Sequence, residues 1–533
     1  MKYPYPTFNL ASLLHRLLFR SLSFNLANVS RPTTAKDETR NESSDTTIAM
    51  FGQKVDWLDG RHYSVEELEQ YRFVGDIEMD RILELISSND ELSDNFSNTI
   101  RSCAEIYHKE EERRQQKNLI DDNEQSPLAI EDLAMYEFYK HYHDHVPEWV
   151  DWDQLQRGID VFILYAPAAG QALFYLSLVP GFSIPKIAKV LEQTKYLVPP
   201  STTKQVQNRL MDTGGFISTA LIPSEESELS ASSLRPGGTA WTTSLQVRTL
   251  HAKVRRSILT NKGIQWKTKE YGVPINQEDM SATLLAFSVN VLIGIQFVAG
   301  KDVSVDSQRD YIALWRYLGW LLGVESKEDD STFRDTFSNK TSSGLTPLDP
   351  CGLRINGKSD DDSIVHAHAT FESIVLHLMQ PNEYSGEVAH HLLTMGQTQT
   401  ESFTLAYLYR ALMCRRFTGD ELANALKLPT PNYSIKSCFA YALTQFILVS
   451  MRIYTLLTMH SNWFRAKAYK RHLSLVCKFY QMWTSNHGKR MNKAAHEAMK
   501  VTHLDDDAGA KPYSCPFSLI MPPKSKDNHF KIE

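Results

Sequence analysis

Apolar residues recur at three- and four-residue spacing over most of the chain, which is the signature of amphipathic helices. From residue 64 to 120 that pattern carries many charges and ends in "HKEEERRQQKN", a solvated helix face. A more apolar body opens at "LAIEDLAMYEFYKHYHDHVPEWVDWDQLQRGIDVFILYAPAAGQALFYLSL", where Pro167, Pro180 and Pro185 punctuate helices. In "IPKIAKVLEQTKYLVPP", Ile187, Val190, Leu191, Thr194 and Leu197 keep helical spacing between a proline start at Pro185 and a proline stop at Pro199. No segment sustains strand alternation and no repeat period emerges. The pattern predicts an all-α fold.

Two stretches are apolar enough to raise the question of a membrane. "SATLLAFSVNVLIGIQFVAG" (281–300) is uncharged and long enough to span a bilayer, but Ser281, Thr283, Ser288, Asn290 and Gln296 favour a buried core helix. "CFAYALTQFILVSMRIYTLLTMH" is interrupted by Arg452 and is also expected in the core.

The first 36 residues contain no Asp or Glu, are rich in Ser and Leu, and carry Lys2, Arg16, Arg20, Arg31 and Lys36. Such a start resembles a mitochondrial presequence or an interfacial anchor at a membrane such as the ER; an acid-free tail is the plainer reading. "DETRNESSDTT" then reads as a linker. The expected organisation is a targeting or anchor-like segment and linker (1–46), a charged helical region (47–146), a main domain (147–480) and a C-terminal tail (481–533). "PSEESELSASSLRPGGT", "ESKEDDSTFRDTFSNKTSSG" and "NGKSDDDS" read as polar loops or insertions.

Charge and cysteine usage narrow the function classes. A net charge of −6 gives no footprint for nucleic acid. The six cysteines form no CxxC pair, which points to reduced thiols in an intracellular compartment and away from a zinc ribbon.

Candidate chemistry sits in "VRTLHAKVRR". On a helical wheel Val247, Leu250, Val254 and Ile258 form one stripe, with Arg248, His251 and Arg255 on the stripe beside it. Histidine is a common metal ligand, and guanidinium forks suit carboxylates. A core-edge histidine flanked by solvated arginines is the plainer alternative. Upstream, "NRLMDTGG" places Arg209 and Thr213 on one face with Asp212 beside them, and Gly214–Gly215 reads as the helix end. A carboxylate, a guanidinium and a hydroxyl together could handle a proton, or simply terminate a helix. His141, His143 and His145 in "HYHDH" alternate in a way that sends helical side chains to different faces, as do His366 and His368. "HEAMKVTH" lacks the spacing of a zincin. Glu192 sits on the margin of its helix and reads as a surface residue.

The ordered set "PEWVDWDQLQRGIDVF", "NRLMDT", "RPGGTAW", "LQVRTLHAKVRRSI", "GVPINQEDMSATLLAFS" and "YIALWRYLGWLLGV" resembles one family. It is similar to the catalytic domain shared by MpaB, the fungal oxygenase of mycophenolic acid biosynthesis, and the latex-clearing rubber oxygenases. The resemblance runs from about Pro147 to about residue 480. It implies a globin-like helical core with haem b and places His251 as proximal iron ligand. It also implies that Arg248 and Arg255 flank the cofactor, and that Arg209 and Thr213 match a second polar pair. Asp212 departs from the pattern, because rubber oxygenases carry a lysine there. That departure weakens polyisoprene as substrate and makes Asp212 a candidate acid–base group.

The reading that follows is a haem-dependent oxygenase that uses O2 on an apolar, alkene-containing and isoprenoid-like substrate. Arg209, Asp212 and Thr213 are its candidate catalytic groups, and membrane association is left open. The rivals are a haem-binding sensor or peroxidase-like protein, and a helical interaction protein without enzymatic activity.

Overall fold

The computed structural model describes residues 46–501, apart from 51–52, 58–59, 88–98, 117–127, 195–196, 200, 223–230, 327–344, 353–362, 396–403 and 433; 46–50, 53–54, 87 and 486–501 are described as backbone only. The acid-free N-terminal segment, most of the three polar insertions and the chain beyond 501 lie outside the described residues. The fold is all-α, as the periodicity predicts. One addition was not legible in the pattern: an antiparallel two-stranded hairpin, Thr46–Met50 with Gln53–Trp57, in which Ile48 faces Val55.

Local chemistry sets the helix ends. Ser64 and Glu67 form a capping box for the helix Val65–Tyr71, and Thr202 with Gln205 does the same for Thr203–Leu221. The helix Thr239–Thr260 begins at Gly238, where a Cβ would lie 2.5 Å from the carbonyl oxygen of Ser233. That contact is why "RPGG" precedes the helix: the backbone folds back on itself too closely for a side chain.

A single large core gathers these helices. The helices Trp152–Leu164 and Val305–Leu321 run against each other so tightly that a Cβ on Gly158 would meet the Asp310 carbonyl at 2.4 Å. Arg157 grips the Asp310 carboxylate beside that contact, at 3.0 and 3.2 Å. The five described cysteines are free thiols.

The two apolar stretches part company in the structure. The first breaks at Ser288 into Gln277–Phe287 and Val289–Ala299, and 83% of its most apolar window is buried, in line with the expected core role. In the second, Ile435–His460, only 28% of the corresponding window is buried, so it is not the core helix expected. One of its faces packs on the domain and the other does not. By length and composition both stretches could cross a membrane.

The C-terminal helix spans Asn462–Val501 and continues through residue 481, where the tail was expected to begin. Its continuation has a packing reason, since Trp483 is buried against the helix Thr203–Leu221.

Candidate functional site

His251 sits at the middle of the helix Thr239–Thr260, between two arginines that are more deeply buried than itself. Arg248 and Arg255 are 2% and 1% exposed, whereas Val247 and Val254 of the expected apolar stripe are only half-buried. Charge explains the inversion. Arg248 donates from Nε and Nη2 to the Asp76 carboxylate at 2.6 and 2.7 Å, and from Nη2 to Glu78 at 2.7 Å. Arg255 donates from Nε to Asp80 at 2.8 Å and from Nη1 to the Ile275 carbonyl at 3.0 Å. Glu78 and Asp80 lie in the first turn of the helix Ile77–Ser87, immediately after Asp76. Carboxylates there also favour the positive end of the helix dipole.

The ion pairs are built in with care for space. A Cβ on Gly75 would fall 2.9 Å from Arg255 Nε, and one on Gly323 would fall 2.6 Å from Asp76 Oδ2. The Arg248 guanidinium also lies over Tyr142 and Phe138, at 4.9 and 5.3 Å from their ring centres, and the Tyr142 hydroxyl donates to Glu78 at 2.7 Å. Burial alone would lower the Arg248 pKa, but Asp76, Tyr142 and Glu78 outweigh it and hold the group charged. The sequence reading missed Asp76, Glu78 and Asp80. The signal was "GDIEMD", acids two apart at a helix start, which no local rule connects to arginines some 170 residues away.

His251 itself keeps part of its ring accessible, but Nδ1 is sealed from solvent and has no hydrogen-bonding partner among the described residues. Burial, then the charges of Arg255 and Arg209, push its pKa down to about 3. The imidazole is therefore neutral at physiological pH, the form in which a histidine ligates a metal. A linkage follows from the sign of this shift. Between pH 6.5 and about 3 the unfolded chain binds a proton that folded His251 refuses. Stability from this group is fully present above pH 6.5 and is lost as pH falls through that window. Replacing His251 with Gln is expected to flatten this part of the profile, as read by urea midpoints across the window; an unchanged slope would remove His251 as its source.

The second cluster reaches the first through Arg209. The helix Thr203–Leu221 packs on the His251 helix, and the Arg209 charge is felt at the imidazole. Asp212 is buried one turn further on, and its Oδ1 accepts the Trp483 Nε1–H at 3.3 Å. Thr213 beside it is half-buried. Gly214 and Gly215 do not end this helix, which continues to Leu221. They are there because a Cβ on Gly215 would sit 2.3 Å from the Trp483 indole, and one on Gly214 would sit 3.0 Å from Phe479. The C-terminal helix thus closes over the Arg209–Thr213 turn.

The other candidate histidines sit in different surroundings, although His145 Nε2, like His251 Nδ1, is sealed with no hydrogen-bonding partner among the described residues. His141 and His145 lie one turn apart and stack with ring centres 5.4 Å apart, while His143 pairs with Asp144 at 2.8 Å. His366 Nε2 bonds the Asp349 carbonyl at 3.1 Å. Glu192 pairs with Lys189 at 2.9 Å. Among the described residues no group of three or more His, Cys, Asp or Glu could hold a metal ion. For a haem, the neutral His251 imidazole is the residue whose chemistry would suit ligation of the iron. Arg248 and Arg255 fit less simply, since their carboxylate partners are already supplied by Asp76, Glu78 and Asp80.

Comparison with curated proteins and with solved structures finds no match. A family model does match, over residues 164–442, just over half of the chain; its description is ER-bound oxygenase mpaB/B'/rubber oxygenase, catalytic domain. Arg209, Asp212, Thr213, Arg248, His251 and Arg255 all fall inside the matched stretch, while Asp76, Glu78, Asp80 and Trp483 fall outside it. The chain belongs to the mpaB and rubber oxygenase family, through that family's catalytic domain.

Proposed function

We propose that this oxygenase works with haem b, held by His251, and cleaves a carbon–carbon double bond of an apolar, isoprenoid-like substrate with O2. Family membership supports oxygenase and oxidoreductase chemistry. The observation that carries the haem reading is a neutral imidazole with a sealed, unpartnered Nδ1 at the family's motif position. The bound haem would supply the redox chemistry that makes O2 reactive.

The chain's own residues have separable tasks. Arg248 and Arg255, clamped to Asp76, Glu78 and Asp80, position the His251 helix instead of anchoring propionates. The Asp212 carboxylate, held by Trp483, is the group that would take up or return a proton beside the substrate, with Arg209 to balance developing charge and Thr213 as a hydroxyl donor. Trp483 and Phe479 pack against Gly215 and Gly214 beside that turn. The overall reaction balances without a further reductant, because the C=C bond and O2 give two C=O groups.

Apolar burial stabilises a ligand by about 0.8 kcal/mol per CH2, less the cost of ordering a flexible chain, for a net gain of roughly 1–2 kcal/mol per five-carbon unit. Affinity for prenylated compounds is therefore expected to climb with chain length until the site is full. The test is haem-loaded protein with farnesyl and geranylgeranyl compounds under 18O2, read by O2 uptake and mass spectrometry. Labelled carbonyl products from the alkenes, with saturated analogues bound but unreacted, are expected. Activity only with peroxide would favour a peroxidase-like protein. Neither binding nor cleavage would end the isoprenoid reading, and the absence of Soret absorption after haem supply would end the haem reading.

A further inference from the structure

The helix Ile435–His460 is built inside out. Its domain-facing positions are mostly small or hydroxylic: Ser437, Ala440, Thr444, Thr455 and Thr458. Its large apolar residues face outward, with Ile435 88% exposed, Phe446 69%, Phe439 58%, and Ile453 and Leu457 41% each. At helical spacing these five form one narrow stripe along the whole element. In water that arrangement is unfavourable, because contiguous exposed apolar surface is what folding normally removes. Small residues on the inner face let the helix approach the domain closely, as at helix contacts in lipid.

Charge says what covers the stripe. From residue 422 to residue 496 the chain has no Asp or Glu, although the whole protein carries a net charge of −6. The next helix begins with Trp463, 72% exposed, with Lys467 over its ring at 5.2 Å. Lys470, Arg471 and Lys478 follow, all exposed. An outward Trp beside lysines and an apolar stripe is the composition of a helix lying in a lipid headgroup layer. A transmembrane path does not suit this helix. Its inner face is committed to the domain along its length, and buried Arg452 donates from Nε to the Val298 carbonyl at 2.9 Å and from Nη2 to the Phe297 carbonyl at 3.0 Å. A symmetric pairing with a second copy would bring two acid-free basic hairpins together, which costs repulsion.

We propose that the hairpin formed by Ile435–His460 and the start of the following helix is a docking surface for a bilayer containing anionic phospholipid. The apolar stripe sinks into the headgroup–acyl boundary and the lysines meet lipid phosphates. The proposal is independent of haem and of the oxygenase substrate.

The test is co-flotation of the full chain with vesicles of phosphatidylcholine, alone or mixed with phosphatidylserine, at low and high salt. Binding is expected to favour the anionic vesicles and to weaken with salt. The double substitution Phe439→Glu/Phe446→Glu, at exposed positions and so compatible with an unchanged melting curve, is expected to reduce partitioning by at least about tenfold. Lys467→Glu/Lys470→Glu is expected to remove mainly the salt-sensitive part. Binding that ignores both variants would overturn the proposal, as would no binding to either vesicle. So would a dimer, seen by analytical ultracentrifugation, that the phenylalanine variant dissolves while vesicle binding stays the same.

Discussion

His251→Ala is expected to lose most of its haem, while alanine at His141, His143 or His145 leaves occupancy near that of the parent. The contrast rests on what each ring already does. His141 and His145 stack on each other and His143 is tied to Asp144, on a helix that meets the Arg248 clamp through Phe138 and Tyr142. His251 alone combines a sealed nitrogen, a neutral ring and the motif setting. Metal ligation requires the deprotonated imidazole, and a pKa pushed down to about 3 keeps it neutral at physiological pH. The measurement is the ratio of Soret to protein absorbance after saturation and desalting, checked by pyridine haemochrome. Equal ratios in His251→Ala and the parent would remove His251 as the ligand.

Arg248→Met is expected to be the most destabilising single change at the site, by about 3–5 kcal/mol, because it strands the buried Asp76 carboxylate and takes one partner from Glu78. Removing the stranded charge as well should recover much of the loss, since a buried pair replaced by apolar groups of similar volume is often close to neutral. Urea unfolding of Arg248→Met and of Arg248→Met/Asp76→Leu reads both numbers. A single variant within about 0.5 kcal/mol of the parent would place Arg248 among surface residues and contradict its burial. This expectation differs from the one that the motif alone suggests. A propionate anchor would change haem affinity and leave the apo-protein's stability nearly unaltered.

Helical spacing was enough to read the all-α fold and to put Arg248, His251 and Arg255 on one side of a helix. It could not say what faced them. Periodicity reports only which face of a helix is distinctive, and the carboxylates that meet these arginines come from a distant segment. The glycines at 214 and 215 show the same limit from the other side. A glycine pair is locally a stop signal, but here the Phe479 ring and the Trp483 indole, each more than 260 residues further on, crowd the two positions inside a continuous helix. Ile435–His460 misled for a related reason. Apolar content suggested burial, and only the packing reveals that the small residues face inward.

The clamp between Asp76, Glu78, Asp80 and the two arginines also bears on where this protein can be cut. The matched catalytic stretch starts at residue 164, so excising it would discard every one of those carboxylates and keep both guanidiniums. Excision would also remove Phe138 and Tyr142, so the two guanidiniums would lose their counter-ions and their covering together and open to water. The stretch recognised by kinship is thus smaller than the packed unit around its histidine. The helix Ile77–Ser87 is part of that unit and no appendage to it, since Met79, Ile82, Leu83 and Ile86 are buried in the same core.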